Sequence, residues 1–199
     1  MDKQERMLAL MREILQDEYV ELRVRSYQTF ESLDEGTCRV SATLANGDGS
    51  DFQVESEGVG TIDAFFNALK SRFARDFTSL NSIKFSEFNI RGILSSDDTA
   101  KGSQAEAEAT LGILNSEGQE FKFRAKSSSI SRAGIQATLS AAAYFVNSEK
   151  TYVKLHDIIE HYRNSGRMDL VEKYTEIMTR VVENTSYSEV VESLKNAHK

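Results

Sequence analysis

The sequence predicts an α+β domain built from two repeated βββα units, with a helix in front and helices behind. Three observations predict it. Apolar and polar residues alternate over strand-length stretches, turn signatures separate those stretches, and the pattern recurs at a nearly constant offset. Asn46 and Asn115, Phe52 and Phe121, and Val54 and Phe123 are each 69 positions apart. Ile62 and Ile135, Ala64 and Ala137, and Ala68 and Ala141 are each 73 apart. The change of offset predicts four extra residues in the second strand-to-helix loop.

Residues 2–16 place Met7, Leu8, Leu10, Met11, Ile14 and Leu15 among Lys, Glu and Arg, the spacing of an amphipathic helix. Val20, Leu22, Val24 and Tyr27 alternate with Glu21, Arg23 and Arg25, which predicts a strand over 19–31. Asp34-Glu35-Gly36 marks a turn. Strands follow at 37–45 and 50–57, joined by the hairpin signal Asn46-Gly47-Asp48-Gly49. Gly58-Val59-Gly60 then makes a sharp turn into a helix over 61–77. Thr61 is its expected cap, Asp63 suits the positive end of its dipole, and Ile62, Phe65, Phe66 and Leu69 form its apolar face.

In the second unit, Ile83, Phe85, Phe88, Ile90 and Ile93 predict a strand over 80–94, followed by a polar loop at 95–104. Strands at 105–115 and 119–126 flank the turn Asn115-Ser116-Glu117-Gly118. A long helix starts near 131 and reaches Tyr162, with Gly166 as its stop. Leu170, Tyr174, Ile177, Met178, Val181 and Val182 predict a further amphipathic helix. Ser186-Tyr187-Ser188-Glu189 is a capping box for a last short helix carrying Val190, Val191 and Leu194. The expected divisions are an N-terminal helix at 1–18, the repeated domain at 19–163 and C-terminal helices at 164–199.

Composition narrows the function. The 199 residues are 40% hydrophobic and 28% charged, an ordinary globular balance, and the net charge is −7. That charge argues against nucleic acid as a partner. The longest apolar run, Ala141 to Val146, is far short of the roughly 20 residues that span a bilayer, and the N-terminus lacks the apolar core of a signal peptide. A cytoplasmic protein without membrane contact is expected, and Met1 fits an intact gene product. The single cysteine, Cys38, lies inside a predicted strand and reads as a buried, inert thiol.

Catalytic groups are sparse. His156 and His161 are five apart, so they do not share a helix face as a metal pair four apart would. Ser127-Ser128-Ser129 reads as a loop and helix cap, with no histidine near it in sequence to activate a nucleophile. G-x-G before a helix leaves free N–H groups that suit a carboxylate or phosphate, but no Walker lysine or third glycine follows. No enzyme activity, metal or cofactor is expected.

Gly58-Val59-Gly60-Thr61-Ile62-Asp63-Ala64, followed by Ala68-Leu69, resembles the G-x-G-P-[IV]-D-A…A-[IL] segment of the C-terminal regulatory domain of 2-isopropylmalate synthase and citramalate synthase. Gly134-Ile135-Gln136-Ala137-Thr138 through Tyr144-Phe145-Val146-Asn147 is similar to the same family's second helix motif. The resemblance covers about residues 19–150. It departs where Thr61 replaces the usual proline, and where Ala133 and Gly134 replace the acidic residue and isoleucine that open the second motif. The H-x-H motif of the synthases' catalytic barrel does not occur in this sequence.

The resemblance implies a homodimeric domain that binds a branched-chain amino acid, leucine or isoleucine, as feedback effector; as a stand-alone domain it is expected to act on a separate catalytic synthase subunit or another partner. It points to Gly58, Gly60, Ile62, Asp63, Gly134, Ile135 and Ala137 as ligand-binding residues, with Phe88 and Gly92 from the intervening strand. The expected site lies at the glycine turns and helix starts, with Ile62, Phe88 and Ile135 around the aliphatic side chain. The alternative is an assembly module of the same fold that has lost the ligand.

Overall fold

The computed structural model describes residues 3–93 and 106–183. The expected polar loop at 95–104 and the short helix after Ser186 lie outside these residues. The chain runs α1 (Lys3–Leu15), a 3₁₀ turn (Gln16–Glu18), β1 (Leu22–Ser32), β2 (Thr37–Asn46), β3 (Asp51–Gly58), α2 (Thr61–Phe73) and α3 (Ser79–Ser82). It continues through β4 (Lys84–Ile93), β5 (Glu106–Leu114), β6 (Glu120–Ser127), α4 (Ile130–Asn164) and α5 (Met168–Val182). The predicted α+β architecture of two βββα units is present.

Each unit is an antiparallel three-stranded sheet, β1-β2-β3 or β4-β5-β6, covered on one face by its helix. Alternation does what it should. Cys38, Val40, Ala42 and Leu44 of β2 are buried, as are Ala107, Ala109, Leu111 and Ile113 of β5. Phe65, Leu69 and Phe73 of α2 and Ile135, Ala141 and Phe145 of α4 belong to the same hydrophobic cluster as those strand residues other than Ala107. α2 and α4 also touch each other, so the two units share one core. Met7 and Met11 of α1 join it against α4.

The duplication extends to details. Asn46 N–H donates to Ser50 O at 2.9 Å and Asn115 N–H donates to Gln119 O at 3.0 Å, closing equivalent turns. Gly49 and Gly118 take φ of +84° and +78° in those turns, where a side chain would be strained. A bulge interrupts β1 between Val24 and Ser26, and another interrupts β4 between Phe85 and Glu87.

The four extra residues are not in the second loop. Both strand-to-helix connections are two residues long, 59–60 and 128–129. The insertion lies inside α4, placing Ile135 and Ala137 one turn deeper than Ile62 and Ala64 in α2. Four residues are close to one 3.6-residue turn, so the apolar face is kept. α2 stops at Phe73 rather than near 77, and α3 takes up the residues expected to begin β4.

Candidate functional site

The turn from β3 into α2 uses its two glycines differently. A Cβ on Gly58 would lie 2.5 Å from Ala64 N and 2.9 Å from Ala64 Cα, and would also overlap Asp63 Oδ2. The strand end and the first turn of α2 therefore meet only because Gly58 has no side chain. Gly60 is the N-cap of α2 in extended backbone (φ −171°), and a Cβ there would meet nothing within 4 Å. Thr61 does not cap: it is the first helical residue, with its Oγ1 3.7 Å from the buried Cys38 Sγ. The carboxylate that serves the turn is Asp63, whose Oδ2 accepts from Val59 N–H at 3.0 Å. In the second unit the cap is Ser129, whose Oγ accepts from Arg132 N–H at 3.3 Å.

Ile62, Phe88 and Gly134 converge although they come from α2, β4 and α4. From the position of a Cβ on Gly134, Ile62 Cδ1 lies at 2.6 Å and Phe88 Cζ at 3.3 Å. Phe88 is 44% exposed, so it forms the outer edge of this contact. Ile135 and Ala137 are fully buried, and Ile135 also lines a groove between α4 and the edge of β1. Gly92 sits on β4 opposite Ala107, and a Cβ on it would meet nothing within 4 Å.

Beside the turn, Arg39 donates from Nε (3.0 Å) and Nη2 (2.5 Å) to Glu57 Oε1, an exposed pair. Asn67 Nδ2 donates to Glu57 O at 3.1 Å and ties the second turn of α2 to the end of β3. The first N–H groups of a helix have no partner within it, and in α2 the Asp63 carboxylate lies in that first turn. Among the described residues, no group of three His, Cys, Asp or Glu could hold a metal ion, and no helix is long and apolar enough to cross a membrane.

The match that decides the family is to the LeuA allosteric (dimerisation) domain, over residues 3–146. The chain belongs to this family. The LeuA-domain match spans well over half of the 199 residues and both βββα units, ending inside α4. Among curated proteins, no match to the chain is found. A role in regulation or dimerisation follows from membership of the LeuA-domain family.

Two buried residues of α4 tie it to distant parts of the chain: Asn147, which ends the second motif, and Glu149, which no motif includes. Asn147 Oδ1 accepts from Val20 N–H at 2.7 Å, and its Nδ2 donates to Val20 O at 2.8 Å, so one side chain pairs both main-chain groups ahead of β1. Glu149 accepts from Thr78 N–H at 3.1 Å and Ser79 N–H at 2.9 Å, covering the start of α3. Their partners lie 127 and about 70 residues away in sequence, beyond any local pattern. Tyr144, next to Phe121 and Phe123, has its phenol pushed well above the usual range by burial.

Proposed function

We propose that this chain is a regulatory domain that binds a branched-chain amino acid, leucine or isoleucine, as the allosteric effector of a branched-chain amino-acid synthase, and works as a homodimer. The observation that carries this reading is the convergence of the first turn of α2 with α4 and β4 at Ile62, Gly134 and Phe88, in a chain of the LeuA-domain family. The effector ammonium would pair with Asp63, its carboxylate with N–H groups at the start of α2, and its aliphatic end with Ile62 and Phe88. Exposed apolar side chains at one end of the first sheet, Phe30, Leu33 and Val59, favour cover by a second copy.

A specific observation also supports a second reading, an assembly module without ligand. Ile62 Cδ1 already fills the space in front of Gly134, and the Asp63 carboxylate already holds Val59 N–H. Calorimetric titration with leucine, isoleucine and valine, alongside light scattering, separates the two. Heat with leucine or isoleucine that disappears in Asp63→Asn supports the effector site. A silent titration of an intact dimer selects the assembly module, and a silent monomer overturns both.

A further inference from the structure

The second half of α4 and all of α5 lie beyond the matched residues 3–146. Between them, the turn at Glu18 and the corner leading from α2 into α3 lies an open cavity of about 630 Å³. That volume falls in the range of small-molecule sites. Its apolar wall consists of Phe77, Val153, Ile158, Tyr162 and Tyr174, each half-buried. Tyr162 and Tyr174 stack across the α4–α5 pair, with centroids 5.7 Å apart and planes 11° from parallel.

The charged groups on the wall are not equally available. Lys154 Nζ donates to Glu18 Oε1 at 2.6 Å, and Lys150 Nζ donates to Glu18 O at 2.6 Å, so both ammonium groups are held by the chain. Glu149 is committed to the amides of Thr78 and Ser79. The His161 ring lies against Tyr162, centroids 5.4 Å apart. Asp76 and Asp157 are the loosely held charges. Asp76 has the Arg75 guanidinium, 91% exposed, at 3.5 Å, and Asp157 has the His156 ring at 3.7 Å. Contacts of that length between exposed groups are weak and easily exchanged. The aromatic wall also accepts a cation from its own chain, since Lys173 Nζ lies 5.4 Å from the centroid of Tyr174.

We propose that this cavity is a second binding site, for an apolar organic cation: an ammonium group carried on an aromatic or branched aliphatic body. The body would lie against Val153, Ile158 and the tyrosine pair, and the ammonium would meet Asp76 and Asp157. An anion of the same shape would face two loose carboxylates, with the wall's lysines already engaged. This inference does not rest on the effector reading, because it uses none of the residues around Gly58 or Gly134.

The test is a titration of the full chain followed by amide NMR, with 2-phenylethylammonium and phenyltrimethylammonium as probes. Phenylethanol and 3-phenylpropionate serve as the neutral and anionic matches. The cations are expected to bind at about 1 mM, the affinity typical of fragments of this size, and to shift amides at 149–162 and 174. Phenylethanol should bind several-fold more weakly and phenylpropionate should not bind. Asp76→Asn with Asp157→Asn should weaken the cations about tenfold while leaving any leucine binding unchanged; both sites are exposed, so folding is retained. Equal binding of phenylethanol, shifts confined to the Ile62 region, or no shifts with either cation would each overturn the proposal.

Discussion

Gly58→Ala and Gly60→Ala are the same chemical change, two residues apart, in one motif, yet they should differ sharply. At Gly58 the new methyl would sit 2.5 Å from Ala64 N and 2.9 Å from Ala64 Cα. Ordinary contact needs about 3.5 Å, so backbone must move by roughly 1 Å where strand and helix meet. Overpacking of this kind costs about 1–3 kcal/mol. The Asp63 carboxylate must also swing away, which loses its bond to Val59 N–H and adds about 1 kcal/mol. A total of about 3 kcal/mol corresponds to a Tm lower by about 6–12 °C for a chain of this size.

At Gly60 the methyl meets nothing and the extended backbone accepts any residue. A poorer N-cap, about 0.5–1 kcal/mol, is offset by a similar gain from a less flexible unfolded chain. Urea unfolding followed by far-UV circular dichroism measures both variants. Equal midpoints for Gly58→Ala and the parent, or a larger loss at Gly60 than at Gly58, would refute the account of this turn. The same pair then carries into calorimetry, where Gly58→Ala should also lose any effector heat.

Three further outcomes are expected. Asn147→Ala leaves Val20 N–H and C=O without their partner and should cost about 2–4 kcal/mol in urea unfolding; a change below about 0.5 kcal/mol would show that water replaces the amide. Gly134→Ala forces Ile62 Cδ1 aside, which opposes the gain of about 0.5–1 kcal/mol that Ala brings inside α4, so the substitution should be more favourable in an Ile62→Val background; strict additivity in the double-mutant cycle would disprove the contact. The Lys154 hydrogen bond holds the Glu18 carboxyl below its usual range. A lowered folded value means that this contribution is full above the ordinary carboxylate range and fades as pH falls through it. The stability gap between the parent and Lys154→Met should therefore shrink between about pH 6 and pH 3, and a constant gap would rule the linkage out.

The local structure was legible because its causes are local. Apolar alternation in β2 and β5, the Asn-led turns with glycine at positive φ, and the 3.6-residue stripes of α2 and α4 all act within a few residues. The repeat was legible for the same reason, since each unit restates the same short-range rules at an offset of 69. The misplaced insertion shows where this ends: a four-residue shift looks alike in a loop and in a helix, and only the α4 boundary at Ile130 distinguishes them.

By itself the sequence determined the α+β class, the two βββα units, the order of strands and helices apart from α3, and the stretch around Gly58 as a strand-to-helix junction. The tertiary structure alone decided which glycine that junction needs, that Ile62 fills the space before Gly134, and that Asn147 and Glu149 fasten α4 to Val20 and α3. It also decided that a cavity opens between the α4–α5 pair and the α2–α3 corner. The contacts of Asn147 and Glu149, and that of Ile62 with Gly134, join residues some 70 to 130 positions apart. Periodicity and turn chemistry describe how a chain folds beside itself, whereas which distant side chain fills a given gap is set by packing both units into one core.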